Sequence, residues 1–192
     1  FVQAHESEAE AFAHFAASFP DNAVMLIDTY DTIAGARAAI AACPRLKGVR
    51  LDSGDLDSLS REVRRILDEA GLRQASIFAS GNLDEERVAA LTAAGAPIDG
   101  FGIGTALTTS ADAPYLDAVY KLQEYAAMAR RKRSAGKSTW PGRKQVWRAR
   151  DASGRFCGDL VTLHDEPGEG EPLLVPVMRG GRRLPQPALA DA

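Results

Sequence analysis

Four polar clusters in this sequence each follow a short hydrophobic run directly. The runs are AVMLID at 23–28, LKGVRLD at 46–52, ASIFAS at 75–80 and IDGFGIG at 98–104. The clusters contain carboxylates, hydroxyls, an amide and glycines, which are groups that hold anions or act on protons. If the runs are parallel strands joined by helices, all four clusters lie at one edge of the sheet, where α/β enzymes place their active sites. The sequence therefore predicts an enzyme core.

The second cluster brings Arg50, Asp52 and Asp55 into one short loop. Because burying a charge is costly, an arginine inside an apolar strand needs a partner or a ligand. Two purely structural interpretations stay open, an ion pair between Arg50 and Asp52 or a helix cap by Asp55. The alternative is a charged site for a ligand.

The fourth cluster, GFGIGT, places Gly102 and Gly104 directly before Thr105. Glycines allow a ligand to approach the backbone closely, and the start of a helix offers free N–H groups to an anion. The last loops of an α/β barrel commonly bind phosphate. Glycines also form tight turns without any ligand, so this segment alone is weak evidence for a phosphate site.

The third cluster supplies Ser80, Gly81 and Asn82 as candidate substrate-binding residues. The first cluster supplies Asp28 and the TYDT segment that follows it. Some of these side chains are expected to cap helices instead. Four clusters along one edge nevertheless favour a shared site.

Helical periodicity predicts a helix over residues 8–19, before the first run. Between later runs it predicts helices over 58–70, after a cap at Asp57, and over 84–95, after a cap at Asn82 or Asp84. The strands show little alternation, which predicts a sheet covered on both faces.

The predicted fold class is α/β, an incomplete (β/α) barrel of parallel strands with helices over residues 1–117. A small antiparallel β portion and an irregular tail follow over residues 118–192. Its expected strands lie at 118–125, 144–150 and 155–163.

The composition of the 192 residues is ordinary for a globular protein, with 45% hydrophobic and 26% charged residues and a net charge of −3. This charge predicts neither a nucleic-acid partner nor a membrane partner. Cys43 and Cys157 form no metal or disulfide pattern, which favours a reducing, cytoplasmic location. Residues 130–150 are basic throughout, with two tryptophans. A nucleic-acid surface, a solvated loop and a clamp for polyphosphate substrates all stay open, and the clamp is favoured.

Six segments together resemble the nicotinate phosphoribosyltransferases in order and spacing. They are LIDTYDT, GVRLDSGDL, ASGNLDE, IDGFGIGT, VYKLQE and STWPGRKQVWR. GVRLDSGDL followed by GIGT is specific to that family. The resemblance implies synthesis of nicotinate mononucleotide and pyrophosphate from nicotinate and phosphoribosyl pyrophosphate, a ligase-class reaction of NAD salvage with coupled ATP hydrolysis. ATP and Mg²⁺ are the implied cofactors, and a homodimer with shared active sites is the implied assembly.

The resemblance also implies roles for the candidate residues. Arg50 would contact nicotinate or the nucleotide product, while Asp52 and Asp55, as catalytic residues, would lie near the ribose. There a carboxylate would orient hydroxyls and stabilise the positive charge left when pyrophosphate departs. Thr105, with the glycines at 102 and 104, would hold the 5′-phosphate.

The family's phosphorylated histidine precedes a Phe-Val pair, and this sequence begins at such a pair. We therefore expect His5 not to take that role, and we expect this 192-residue piece alone to be inactive. The alternatives are a nicotinamide phosphoribosyltransferase, a noncatalytic binding or assembly module, and another phosphate-binding barrel enzyme.

Overall fold

The computed structural model describes residues 1–110, 112, 115–116 and 118–185. The chain divides into two compact units, Phe1–Pro141 and Gly142–Ala192. Residues 118–141, which were predicted to belong to the second portion, therefore lie in the first unit. The reason is a set of hydrogen bonds from this segment to the ends of the first two strands, including one from the Arg133 amide to the Thr29 carbonyl at 2.9 Å.

The first unit contains a four-stranded parallel sheet in the order of the sequence. The strands are β1 (Val24–Leu26), β2 (Gly48–Leu51), β3 (Ser76–Ser80) and β4 (Gly100–Gly102). The helices are α1 (Glu8–Ser18), α2 (Thr32–Ala42), α3 (Leu56–Glu69), α4 (Glu85–Ala93) and the single turn α5 (Thr105–Thr108), with a 3₁₀ turn at Val2–Ala4. All three strand pairings are parallel, so the predicted α/β class is confirmed.

Helices cover one face of this sheet, and its other face is open in the described residues. The strand side chains on the covered face pack with α1, α2 and α3, and all are buried: Met25, Ile27, Val49, Leu51, Ile77 and Ala79. On the other face, Val24 and Phe78 are each 37% exposed. The prediction of a sheet covered on both faces is therefore wrong for this chain. Apolar residues at both parities along the strands do not reveal which face the helices cover.

Side-chain oxygens begin four of the helices. Ser7, Asp31 and Asp84 each accept a hydrogen bond from the backbone three residues on, at 3.1, 2.8 and 2.8 Å. The cap of α3 is Asp55 and not the predicted Asp57, because the helix begins at Leu56, two residues earlier than the sequence pattern predicts. These caps satisfy N–H groups that the helix leaves without partners.

A short hairpin, β5 (Glu124–Tyr125) and β6 (Met128–Ala129), follows the parallel sheet in the sequence and belongs to the first unit. Its turn residues Ala126 and Ala127 have φ of 51° and 58°, the conformation of a two-residue hairpin turn. Only the end of the predicted strand 118–125 is therefore extended in a sheet. Val119 and Tyr120 are exposed, so these apolar side chains are not buried against any other part of the chain that the structure describes.

The second unit holds an antiparallel sheet of β7 (Lys144–Arg150), β8 (Phe156–Leu163) and β9 (Glu171–Pro172). A further hairpin joins β10 (Met178–Arg179) to β11 (Arg182–Arg183). The predicted strands at 144–150 and 155–163 are confirmed. The Trp147 indole donates to Thr162 Oγ1 at 3.0 Å across the β7–β8 pair, which fixes this ring on the sheet. Among the described residues, no helix combines the length and apolar character needed to span a bilayer.

Candidate functional site at the carboxyl edge of the parallel sheet

A cavity of about 1110 Å³ opens at the carboxyl ends of β2, β3 and β4. Two parts of the predicted site do not line it, namely Asp55 and the first cluster with Asp28. The lining residues from the predicted site are Arg50, Asp52, Ser80, Gly81, Asn82, Gly102, Gly104 and Thr105. They come from three separate clusters, and the parallel pairing of the strands brings them together.

The Asp52 carboxylate is held by groups from two other segments of the chain. Ser80 Oγ donates to Asp52 Oδ1 at 2.7 Å, and the Lys137 ammonium donates to Oδ2. Burial opposes ionisation of this carboxyl, but the hydrogen bonds from Lys137 and Ser80 outweigh it, and the charges of Lys137 and Lys132 add to them. The pKa of Asp52 is therefore lowered, and the group is a fixed anion at neutral pH.

Asp28 connects the ends of the first two strands beneath this carboxylate. Its side chain is 1% exposed, and Oδ2 accepts from the Asp52 amide at 3.2 Å and from Ser53 Oγ. Its carbonyl accepts from Ser134 Oγ. Its Oδ1 is buried without a partner among the described residues. Asp28 thus orders the loop after β2 but does not itself line the cavity, so the prediction that all four clusters share one pocket is wrong for the first cluster.

Arg50 lines both this cavity and an apolar groove beside β1. Its guanidinium makes no hydrogen bond or ion pair with another described residue, while Asp52 pairs with Lys137 instead. The structural interpretation of an Arg50–Asp52 ion pair is therefore wrong. An unpaired guanidinium at a cavity wall is suited to bind a carboxylate or phosphate with two parallel hydrogen bonds.

Asp55 does not line this cavity. Its Oδ1 accepts from the Asp57 amide at 3.2 Å and its Oδ2 from Ser58 Oγ at 2.7 Å. Hydrogen bonds from the Ser58 side chain and backbone and from the Asp57 backbone lower its pKa. The geometry thus agrees with the cap interpretation of Asp55 that the sequence left open.

The glycine segment after β4 forms the opposite side of the cavity. Gly104 has φ −111° and ψ −94°, outside the main regions that other residues occupy, and a Cβ there would meet nothing within 4 Å. Because α5 is one turn long, a phosphate here would depend on individual N–H groups and the Thr105 hydroxyl, with little help from a helix dipole.

Gly81 closes the cavity between β2 and β3. Its φ of +97° favours glycine, and a Cβ at this position would collide with the Asp52 carbonyl oxygen. The next residue, Asn82, has φ of 52°, a value that asparagine tolerates better than most residues. This tight turn lets two neighbouring clusters share one cavity.

Sequence reasoning missed the individual contribution of Lys137 and Ser134. Both lie in the basic stretch 130–150, whose sequence favours a clamp for polyphosphate without singling out any one residue. The available signal was the single Ser-Ala-Gly-Lys segment at 134–137 inside that stretch, where a serine and a lysine flank a flexible turn. Only the folded chain shows that they contact Asp28 and Asp52.

The fold and this edge define an α/β protein with a polar cleft whose groups suit an anionic ligand rich in hydroxyls. No protein-family model matches the chain. Nicotinate phosphoribosyltransferase pncB2 of Mycobacterium tuberculosis is 52% identical over 98% of this chain and 42% of its own length. Nicotinate phosphoribosyltransferase of Bacillus subtilis is 42% identical over 86% of this chain and 36% of its own length. The solved nicotinate-nucleotide pyrophosphorylase of Pyrococcus furiosus aligns with 97% of this chain and 48% of its own length, at 26% identity and a TM-score of 0.48.

Over nearly its whole length the chain is therefore similar to nicotinate phosphoribosyltransferases, and the predicted resemblance is confirmed. It spans less than half the length of these two curated relatives.

Proposed function

We propose that this chain supplies the base-binding and ribosyl-binding wall of a nicotinate phosphoribosyltransferase, in NAD biosynthesis. The reaction joins nicotinate to the ribosyl carbon of phosphoribosyl pyrophosphate and releases pyrophosphate. The observation that carries the proposal is one cavity that joins a fixed Asp52 anion, the glycine segment at 102–105 and an Arg50 guanidinium with no side-chain partner among the described residues.

Each of these groups has a physical task in that reaction. The guanidinium of Arg50 binds the nicotinate carboxylate and so orients the pyridine nitrogen. The Asp52 carboxylate stabilises positive charge that develops on the ribosyl ring as pyrophosphate leaves. Backbone N–H groups near Gly104 and the Thr105 hydroxyl hold the 5′-phosphate and fix the ring between the other two groups.

The proposal includes Mg²⁺ and ATP, and the support for Mg²⁺ differs from the support for ATP. Among the described residues, no group of three or more histidine, cysteine or acidic side chains could hold a metal. Mg²⁺ is commonly bound by one or two carboxylates together with substrate phosphates and water, so the cavity fits an ion that arrives with the pyrophosphate group. Coupled ATP hydrolysis rests on the family resemblance alone, as do a homodimer and a cytoplasmic location.

The sharpest test places this chain in a full-length relative. In a hybrid enzyme, this chain replaces the matching segment of the Mycobacterium tuberculosis relative, and nicotinate mononucleotide is measured with nicotinate and phosphoribosyl pyrophosphate as substrates. We expect synthesis by the hybrid enzyme and none by the 192-residue chain alone. A soluble, folded hybrid enzyme without activity would argue against the proposal.

The same assay with nicotinamide tests the alternative substrate. A site that binds a carboxylate through Arg50 discriminates strongly against the uncharged amide, because the amide leaves the guanidinium without its partner. Equal rates with the acid and the amide would favour a nicotinamide phosphoribosyltransferase.

A further inference from the structure

The Lys137 ammonium contacts the residue at the centre of the cavity wall twice. Its Nζ donates to the Asp52 carbonyl oxygen at 2.6 Å and also to Asp52 Oδ2. A lysine ammonium has three donors, so two of the three are used within this one residue. The side chains are 28% exposed for Lys137 and 24% exposed for Asp52, so solvent screens their pairing only partly.

Lys137 is not one of the residues that line the cavity, although it contacts Asp52, which does. A Cβ on Gly81 would come within 3.1 Å of Lys137 Nζ, so the ammonium is packed against the turn after β3. The space at Gly81 is therefore shared between the Asp52 carbonyl and the lysine head group. This placement suits a group that supports a cavity residue better than one that receives substrate phosphate.

The segment that carries Lys137 is itself closed by internal hydrogen bonds. The amide of Lys132 donates to Thr139 Oγ1 at 3.0 Å, and the amide of Thr139 donates to the Lys132 carbonyl at 3.1 Å. Within this closed loop the Lys137 amide donates to the Ser134 carbonyl at 3.0 Å. Since Ser134 Oγ also donates to the Asp28 carbonyl, the loop is anchored to the end of β1. These hydrogen bonds therefore hold in place the loop that carries the Lys137 ammonium.

From these contacts we infer that Lys137 is a positioning residue, which acts with Ser80 to fix the orientation of the Asp52 carboxylate at the cavity wall. Ser80 holds Oδ1 and Lys137 holds Oδ2, so neither oxygen is left to rotate freely. The chemical consequence rests on the proposed function, because a fixed anion stabilises charge on the ribosyl ring without reorganisation during the reaction.

A test must separate the effect of the Lys137 contact on Asp52 from the effect of the other charges nearby. Lys137 acts by contact and by charge, whereas Lys132 acts on Asp52 by charge. Asp28 accepts a hydrogen bond from the Asp52 amide and is a neighbouring acidic group. Arg50 lies two residues before Asp52 in the sequence. A positioning role therefore predicts a specific loss when Lys137 is replaced, beyond that produced by removing any nearby positive charge.

The test is a carboxyl titration by carbon-13 NMR on the 192-residue chain, with the Asp52 signal assigned by its loss in Asp52→Asn. In Lys137→Met the Asp52 midpoint is expected to move to higher pH, by more than in the matched variant Lys132→Met. Lys137→Arg, which keeps a positive donor at the same place, is expected to return the midpoint toward the wild-type value. Equal midpoints in the two methionine variants, or an unchanged midpoint in Lys137→Met, would overturn the inference.

A second readout uses the unaltered chain, so it does not depend on how a variant folds. The nitrogen-15 signal of Lys137 Nζ is expected to shift at the pH where the Asp52 carboxyl ionises, because the two groups are in contact. A Lys137 Nζ signal that does not respond at that pH would contradict the contact. Both readouts are independent of turnover, so an inactive hybrid enzyme counts against the proposed function and leaves the Lys137 result standing.

Discussion

The two faces of the parallel sheet differ in what they contain and in what they do. One face packs against α1, α2 and α3 through buried aliphatic side chains such as Val49 and Leu51. The other bears the exposed Val24 and Phe78, and it also bears Arg50, which lies in register with Leu26 and Phe78. Neighbouring residues of one strand therefore serve different purposes. The covered face stabilises the fold, whereas the open face and the carboxyl edge carry the groups to which the proposed function assigns ligand binding.

The largest expected effect concerns the two carboxylates at the end of β2. In the hybrid enzyme, Asp52→Asn is expected to lower kcat/KM by about 10²- to 10³-fold. The reason is that it removes the fixed negative charge that the proposed function places beside the reacting ribosyl ring. Asp55→Asn is its matched control, and it should leave kcat/KM nearly unchanged, since asparagine also caps a helix. Steady-state kinetics on both variants decides the point. A comparable loss in both would mean that Asp55 also acts in the reaction and is not only a cap.

The next effect tests the comparison of the faces directly. Val49→Ala is expected to lower the free energy of unfolding by about 2 to 3 kcal/mol, because it leaves a cavity in a fully packed core. Val24→Ala, the same change on the open face of the adjacent strand, is expected to cost less than about 1 kcal/mol. Urea unfolding followed by circular dichroism measures both values. If the two variants lose the same stability, the open face is covered in solution, and the contrast between the faces fails.

The smallest effect concerns Glu8, at the start of α1 on the helical side. Burial raises the pKa of Glu8 to about 7, with further contributions from Asp28 and Asp31. An acid whose pKa is higher in the folded state binds more protons there, so folding stability is lost as pH rises from about 4.5 toward 7. After a discount for solvent screening, we expect Glu8→Gln to stabilise the chain by about 1 to 2 kcal/mol at pH 8 and little at pH 4.

Chemical unfolding at the two pH values measures this difference. Glu62→Gln, on the exposed surface of α3, is the control and should change stability equally little at both. A Glu8→Gln variant with the same stabilisation at pH 4 and pH 8 would show that the effect arises from packing and not from the charge.

Local patterns were sufficient for the parts of the fold that depend on local interactions. The four strands follow their apolar runs, and Asp31 and Asp84 cap helices because a short side-chain oxygen can reach only the nearest free N–H groups. The strand predicted at 118–125 failed over most of its length, since extended residues need a neighbouring strand and the sequence does not name one.

By itself, the sequence determined where the strands lie, some of the helix caps and the family that the chain resembles, because these depend on residue types at short spacing. Only the tertiary structure decided that Arg50 does not pair with Asp52, that Asp55 lies outside the cavity, and that helices cover one face of the sheet. It also paired Asp52 with Lys137, a partner 85 residues away. Such a choice among many possible ion pairs is made by the packing of the whole chain, and short-range patterns contain no information about it.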